Sequence, residues 1–268
     1  MHIILAKLTM YDIHSHILPA IDDGPPQMEY SVAMALASKN DGTKKMICTP
    51  HHKDVTENHS IPKLIQLLEK FKSCLKTEKV ELDIGLGMEN HINLDLPEAL
   101  YNGTSLTINQ TKYVLIELPF FGKPNYIEKI LFDVQLKGYT PVLAHPERLE
   151  LFQNNPTILD DLVGRGMVTQ FTAGSILGLF GKKAKTLTEK YLKDGLVHTF
   201  ASDTHTPSGP RSPILSTAFN EVAKIYGYDI AFAMFSTNPK SIIDGSSDTT
   251  QFTLNMPKPK TKLIWKFW

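Results

Sequence analysis

The stretch that decides the fold is "DIHSHILPAIDDG", residues 12–24, which overlaps the end of a short apolar run. The run Met10–Ile13 predicts a buried β-strand, and His14 and His16 occupy alternate positions just after it. An Asp-Asp-Gly sequence follows shortly afterwards. Imidazole and carboxylate groups so close together indicate a metal site, whose remaining ligands must lie elsewhere in the chain.

Short apolar runs alternate with amphipathic stretches of helical period along the rest of the chain. This alternation predicts parallel strands joined by helical crossovers, as in β/α barrels. The predicted strands are Met10–Ile13, Lys45–Cys48, Leu82–Leu86, Tyr113–Leu118, Pro141–Ala144, Met167–Phe171 and His198–Ala201. The predicted helices are Tyr30–Lys39, Pro62–Cys74, Tyr126–Leu136, Pro156–Val163 and Lys183–Leu192. Gly138, Gly166 and Gly195 each lie just before a strand, where a helix C-terminal cap is expected.

Six of the seven predicted strands are followed by, or end in, histidine or carboxylate side chains. In a β/α barrel the C-terminal ends of the strands meet on one face, so these side chains are expected to converge at one mouth. They are His14 and His16, then His51 and His52, Glu89, Glu117, His145 and Glu147 with Arg148 beside them, and finally Asp203 and His205.

Each of these pieces has an ordinary structural explanation when it is taken alone, because a single histidine at a strand end is more often simply hydrogen-bonded. Unrelated polar residues would not favour one end of the strands, so the conjunction favours a metal site. Of His51 and His52, only one can point the same way from a strand end. The histidines that do not follow the pattern are predicted to be surface or core residues: His2, His59, His91 and His198.

The types of the candidate ligand atoms limit which metals the site suits and which reaction it favours. Imidazole mixed with carboxylate and without thiolate suits manganese, iron, zinc or cobalt rather than a closed structural zinc site. Three or more carboxylates favour bridging of two ions, an arrangement used in phosphate ester hydrolysis. Cys48 lies inside an apolar strand and Cys74 has no histidine partner, so both are predicted to be structural rather than nucleophilic.

Composition excludes several other classes of protein. The chain has 268 residues, with 28 basic and 28 acidic side chains, so no net charge attracts it to nucleic acid. Two cysteines are too few for a disulfide framework and favour a reducing compartment. The N-terminal stretch is too short for a signal peptide, and no apolar run is long enough to cross a bilayer. We therefore expect a cytoplasmic protein.

The ordered motifs "DIHSH", "DDGP", "TPHH", "GMEN", "LIELP", "AHPER" and "SDTH" resemble the polymerase and histidinol phosphatase (PHP) family. The resemblance runs from Met10 to about Ile243 and is strongest to the tyrosine phosphatases of bacterial capsule and exopolysaccharide operons. It implies a distorted seven-stranded β/α barrel, similar to a TIM barrel, with three divalent metal ions in its mouth. Manganese is the usual metal of this family, and the ligands alone also allow iron, cobalt or zinc.

The positions of these motifs indicate which residues of this sequence correspond to the metal ligands of the family. By this resemblance, His14 and His16 share the first metal with Glu89 and Asp203. Glu89 bridges to a second metal that Glu117 and His145 also bind. The third metal is bound by Asp23, His51 and His205, and His51 rather than His52 occupies the family's histidine position.

The resemblance also implies a reaction and a partner. Members of this branch remove phosphate from tyrosines of a bacterial tyrosine kinase that controls polysaccharide synthesis, with water activated by the metals. Arg148 and Arg211 are expected to bind the phosphate, because guanidinium groups suit that geometry. His205 or a metal-bound water is expected to protonate the leaving group. A proline-rich turn separates Arg211 from Asp203, so Arg211 reaches the phosphate only where this turn brings it back to the strand ends.

Two alternatives remain open on the sequence. One is a small-molecule phosphoesterase of the same family, similar to histidinol phosphatases, and the other is a non-catalytic metal-binding scaffold. Neither the oligomeric state nor the phosphorylated site of the kinase follows from the sequence.

The chain is predicted to contain one PHP domain over residues 1–250, with an N-terminal extension over residues 1–9 and a tail over residues 251–268. The tail carries four lysines in "MPKPKTKLIWKFW" and both tryptophans of the chain. It is either a terminus that folds back on the barrel or a segment that docks on an anionic membrane surface or an acidic partner.

Overall fold

The computed structural model describes residues 8–246 of the chain, and within them strands alternate with helices. Every pairing between neighbouring strands is parallel, as the alternation predicts. The strands are β1 (Met10–Ser15), β2 (Thr43–Cys48), β3 (Asp83–Leu86), β4 (Asn90–His91), β5 (Tyr113–Glu117), β6 (Thr140–Ala144), β7 (Val168–Thr172) and β8 (Thr199–Ala201). The helices are α1 (Met28–Asp41), α2 (His52–Asn58), α3 (Ile61–Thr77), α4 (Leu96–Tyr101), α5 (Ile127–Leu136), α6 (Glu150–Asn154), α7 (Thr157–Gly164), α8 (Ala173–Leu177), α9 (Gly181–Lys193), α10 (Leu215–Tyr226), α11 (Tyr228–Phe232) and α12 (Asn238–Ile243).

The strands form two sheets, of order β1-β2-β3 and β4-β5-β6-β7-β8. One isolated parallel bridge joins Ser15, the last residue of β1, to Thr204, just beyond β8, and another joins His51 to Glu89. The strand order is therefore cyclic, as in a β/α barrel, but within residues 8–246 no continuous hydrogen-bonded ladder closes the barrel. Both bridges lie at the carboxyl ends of the strands.

The expected count of seven strands is not confirmed, because the described residues contain eight. The predicted strand Leu82–Leu86 corresponds to β3, after which the chain resumes pairing in the two-residue strand β4. β4 has no apolar run, so the sequence gives no signal for it. Gly85, in β3, lets the side chains of Ile47 and Asn109 approach its backbone closely. A Cβ atom at this position would lie 2.5 Å from Ile47 Cδ1 and 2.7 Å from Asn109 Oδ1.

The five predicted helices correspond to α1, α3, α5, α7 and α9, with ends within three residues of those observed. The three predicted capping glycines adopt positive φ, of 86° at Gly138, 87° at Gly166 and 75° at Gly195. α10 was not predicted, although Leu215, Ala218 and Val222 give it an apolar face. It follows the proline-rich turn and precedes no strand, so the alternation of strands and helices does not indicate it.

Buried side chains of the strands and the inner faces of the helices form the core. β5 and β7 are buried along their whole length, which is typical of parallel strands covered on both faces. Cys48 is buried in β2 and burial raises the pKa of its thiol, while Cys74 is half-buried in α3; neither forms a disulfide. Among residues 8–246, no helix is both long and apolar enough to span a bilayer.

Candidate metal centre

One cavity of about 340 Å³ lies at the carboxyl ends of the strands, and ionisable side chains make up most of its wall. β5 ends there with Glu117, and the segments that follow β1, β6 and β8 contribute Asp23, His145 and Asp203. His14, His16 and His205 are buried directly against these residues. The residues that line the cavity are Asp23, His51, Glu89, His91, Glu117, Phe120, His145, Arg148, Asp203 and Arg211.

Glu89 lies at the centre of the cluster and is buried. Its Oε1 atom is 3.3 Å from His14 Nε2 and 3.0 Å from His145 Nε2. Its Oε2 atom is 3.3 Å from His16 Nε2 and 3.0 Å from His51 Nδ1. One carboxylate therefore faces four imidazoles, and each of its oxygens faces a different pair, as suits a ligand shared between two metal ions.

The first predicted ligand group, formed by His14, His16, Glu89 and Asp203, is brought together. The Nε2 atoms of His14 and His16 are 3.2 Å apart, and each is 3.5 Å from Asp203 Oδ1. Nitrogen and oxygen donors about 2.0–2.2 Å from one metal ion lie about 2.8–3.6 Å from each other in octahedral or tetrahedral geometry. The observed separations match that range.

Hydrogen bonds on the far side of these imidazoles favour the tautomers whose Nε2 atoms face each other. His14 Nδ1 lies 2.8 Å from Gln170 Oε1, and His16 Nδ1 lies 2.7 Å from Asp22 Oδ2. Each Nδ1–H donates to an oxygen, so in the neutral rings both Nε2 lone pairs point at each other. Two facing lone pairs at this distance require a proton or a metal ion between them.

The second and third predicted groups are also close together. His145 Nε2 lies 3.4 Å from Glu117 Oε1 and within 3.0 Å of Glu89, which joins the second group to the first. Asp23 Oδ1 lies 3.0 Å from His205 Nε2 and 3.7 Å from His51 Nε2. His16 also lies within reach of this third set, so the three groups form one continuous cluster.

The charges in the cluster stabilise one another. Burial lowers the pKa of His14, but Glu89 and Asp203 outweigh burial and raise it to about 9. Burial likewise raises the pKa of Glu89 and Asp203, yet neighbouring imidazoles, led by His14, hold both well below their usual range, and for Asp203 the Arg148 guanidinium adds to this effect. The buried carboxylates therefore stay ionised and need positive partners, which protonated imidazoles or divalent cations can supply.

Both predicted arginines reach the cavity. Arg148 Nη1 contacts Asp203 Oδ2, and the guanidinium lies between two rings, 5.3 Å from the centroid of Phe120 and 4.5 Å from that of Phe180. Arg211 Nη1 lies 3.0 Å from Asp23 Oδ2, so the proline-rich turn does not prevent its approach. Two guanidinium groups beside a cluster of metal-binding donors give the cavity the parts of a phosphate site.

A family model described as "Capsular polysaccharide synthesis, CpsB/CapC" matches residues 10–244, which include every clustered side chain. The chain belongs to the CpsB/CapC family. The tyrosine-protein phosphatase YwqE of Bacillus subtilis is 39% identical over 196 residues, which cover 73% of this chain and 77% of that protein.

Solved structures agree with this membership. A crystal structure from work on YwqE of Bacillus subtilis and CpsB of Streptococcus pneumoniae, described as metal-dependent tyrosine phosphatases, has a TM-score of 0.85 at 33% identity. The match covers 94% of this chain and 100% of that one. A lactonase from Listeria monocytogenes has a TM-score of 0.54 at 10% identity, over 88% of this chain and 95% of the other, which indicates a shared fold alone.

In this CpsB/CapC chain, sequence reasoning missed the residues that orient the imidazoles. Asp22 stands beside Asp23 in "DDG", and its carboxylate accepts hydrogen bonds from the backbone N–H groups of Gly24 and His51 as well as from His16. Gln170 lies inside β7 and has no sequence signal at all. The adjacent pair Asp22-Asp23 was a usable sequence signal for such a residue. Only one of two adjacent carboxylates can face the donor cluster, so the other is free to accept hydrogen bonds behind it.

The histidines outside the predicted ligand set lie in different surroundings. His198 is buried in the core, where its Nδ1 accepts the backbone N–H of Thr169 at 3.0 Å, and burial lowers its pKa to about 4. His91 was expected on the surface or in the core, but it lines the cavity with Nε2 2.9 Å from Glu117 Oε2. His52 begins α2 and belongs to no donor group among residues 8–246, and His2 lies outside the described residues.

Two of the clustered residues adopt a backbone conformation that side chains rarely accept. His145 has φ of 32° and Asp203 has φ of 51°. Such positions are held only where the surrounding structure imposes them, and they concentrate at functional sites. The sharp turns after β6 and β8 direct these two side chains back over the strand ends.

Proposed function

We propose that this chain is a metal-dependent protein-tyrosine phosphatase whose substrate is a phosphorylated bacterial tyrosine kinase that regulates capsular or exopolysaccharide synthesis. One observation carries the proposal: a buried cluster of imidazoles and carboxylates shares a cavity with two guanidinium groups. The relatives are named as tyrosine-protein phosphatases, and the family name concerns capsular polysaccharide synthesis. The kinase as partner follows from the family resemblance.

We propose that the donor set holds three divalent metal ions and that these ions are manganese. His14, His16, Glu89 and Asp203 would hold the first; Glu89, Glu117 and His145 the second; Asp23, His51 and His205 the third. Metal ions supply a nucleophilic water near neutral pH, since coordination lowers the pKa of water from about 15.7 to about 7.

The protein's own side chains would bind the phosphate and leave the phenol free to depart. Arg148 and Arg211 carry permanent charges that stabilise negative charge on phosphoryl oxygens. The phenol of tyrosine has a pKa near about 10, so it needs little protonation as it leaves. His205 suits a ligand better than a proton donor, because its Nδ1–H donates to the Asp203 carbonyl at 2.9 Å. This leaves a lone pair on Nε2, which accepts from Arg211 Nη2 and lies beside Asp23.

The experiment that tests this function measures metal content and turnover together. The full chain, loaded with Mn²⁺, is assayed on a tyrosine-phosphorylated peptide, the same peptide phosphorylated on serine, and histidinol phosphate. We expect turnover of the tyrosine peptide, which is lost on exhaustive chelation and in the variant His14→Ala/His16→Ala. Preference for histidinol phosphate would favour a small-molecule phosphoesterase, and metal binding without turnover would favour a scaffold.

The tail over residues 251–268 lies outside the described residues, and its role is a separate proposal. Basic residues near an anionic surface contribute about 1 kcal/mol each, and tryptophan favours the interface. We propose that the tail recruits a cytoplasmic, single-domain enzyme to anionic membrane or to its kinase. Truncation after Asn255 should leave peptide hydrolysis intact and weaken salt-sensitive binding to anionic vesicles. Equal binding of both forms at low salt would eliminate this role.

A further inference from the structure

Phe120 is an unusual member of the cavity wall. Among the described residues that line the cavity, it is the only one with a hydrocarbon side chain. It lies three residues beyond Glu117, and 38% of it remains exposed. Part of an aromatic ring is therefore available at the cavity wall to contact an apolar group of a bound substrate.

Contacts with two neighbouring side chains and backbone hydrogen bonds fix the position of this ring. It stacks on the His145 imidazole with centroids 5.6 Å apart and planes 23° apart, and its face meets the Arg148 guanidinium. The backbone N–H of Glu150 donates to the Phe120 carbonyl at 3.0 Å, and the Gly122 N–H donates to the Glu150 carboxylate at 2.9 Å. The ring is therefore held beside a metal-binding imidazole and a phosphate-binding guanidinium.

We propose that Phe120 recognises the aromatic ring of the substrate and so gives the site its preference for phosphate esters of phenols. The inference rests on the proposed function and names the side chain responsible for its substrate class. In a phenyl phosphate, one oxygen joins the ring to the phosphorus, so a phosphate bound near Arg148 places its ring near Phe120. An ester of serine presents only a methylene group at that position.

The neighbouring Phe121 offers a matched control. It is 82% exposed, belongs to the same loop and does not line the cavity. Replacing either phenylalanine by alanine removes the same side chain, but only the change at position 120 alters the cavity. Phe120→Tyr retains the ring and serves as the conservative variant.

The test measures binding of a ring-bearing and a ringless phosphonate, neither of which is hydrolysed. Calorimetry on the full, Mn²⁺-loaded chain compares phenylphosphonate with methylphosphonate. Phe120→Ala should weaken phenylphosphonate about tenfold and leave methylphosphonate unchanged, since an aromatic pair and its buried area contribute an effect of that order. Phe120→Tyr and Phe121→Ala should both bind like the wild type. In turnover, Phe120→Ala should act mainly through KM for the tyrosine-phosphorylated peptide.

Three results would overturn the inference: unchanged binding of phenylphosphonate by Phe120→Ala, equal weakening of both phosphonates, or an equal loss in Phe121→Ala. Equal weakening of both ligands would mean that Phe120 supports Arg148 or His145 instead of contacting the substrate. Absence of turnover on the phosphotyrosine peptide by the wild type would instead contradict the proposed function, while the ratio of phosphonate affinities would still report on ring recognition.

Discussion

Hydrogen bonds behind the clustered imidazoles determine which nitrogen of each ring faces the cavity. Gln170 performs this role for His14, because its Oε1 accepts the Nδ1–H and leaves Nε2 for a metal ion. Gln170→Met keeps the volume of the side chain but removes this acceptor. We expect the affinity for Mn²⁺ to fall about 10- to 100-fold, the usual effect of losing such a partner. Calorimetric titration of the metal-free protein with Mn²⁺ measures this affinity.

The matched control for this change is Gln135→Met, which alters a glutamine at the end of α5 that donates to the Arg165 carbonyl. It should leave metal affinity unchanged. If Gln170→Met also binds Mn²⁺ like the wild type, the orientation of His14 does not depend on this hydrogen bond.

Arg148 tests the separation between phosphate binding and metal binding. Its guanidinium contacts Asp203 but carries no ligand atom for a cation. Arg148→Ala should therefore keep the metal content of the wild type and lower turnover of a phosphotyrosine peptide by about 10²–10³, the scale of losing one transition-state donor. Elemental analysis beside steady-state kinetics separates the two effects. A fall in metal content would show that Arg148 supports the ligands.

At the scale of elements, the buried His198 lies just before β8, accepts a hydrogen bond from β7 and links stability to pH. His198 Nδ1 accepts the Thr169 N–H, so protonation there would lose a hydrogen bond as well as bury a charge. Burial lowers its pKa from 6.5 to about 4. Between pH values of about 6.5 and about 4, His198 is protonated in the unfolded chain but neutral in the folded chain. The neutral histidine therefore contributes its full share of the unfolding free energy above a pH of about 6.5, and this share is lost as the pH falls toward about 4.

His198→Asn removes the titration while keeping an acceptor for the Thr169 N–H. Between pH 7 and pH 5 the wild type should lose about 2 kcal/mol more unfolding free energy than the variant, at about 1.4 kcal/mol per pH unit. Urea unfolding at the two pH values measures the difference. Parallel losses in both proteins would show that His198 does not contribute to acid sensitivity.

The elements themselves were largely predictable, since each predicted strand and helix reflects a local pattern of apolar residues. The exceptions have physical causes. β4 is two residues long and polar, so nothing local marks it, and its pairing depends on the neighbouring β5. The clustering of the candidate ligands was predictable from their place after strands, whereas the proximity of Gln170 and His91 to the cluster was not, because it is created by the packing of strands distant in sequence.

At the scale of the whole molecule, the fold gathers charges that the composition does not reveal. The chain is neutral overall, yet Glu89, Glu117 and Asp203 are all buried at one end of the strands. Buried carboxylates are tolerated only when positive partners compensate for lost hydration. The strand ends thus concentrate negative charge where both the imidazoles and the guanidinium groups converge, and the stability of the fold becomes linked to cations.

Metal removal should therefore destabilise the entire domain rather than the cavity alone. A ligand that binds only the folded state stabilises it by about 2.7 kcal/mol at 100 times its dissociation constant. We expect thermal unfolding of the wild type to shift upward with Mn²⁺ and downward with excess chelator. His14→Ala/His16→Ala lacks two donors of the first group, so its unfolding temperature should respond far less to either addition. Identical unfolding of the wild type with metal and with chelator would contradict a resident metal cluster, because cations that bind these buried donors in the folded state alone must stabilise it.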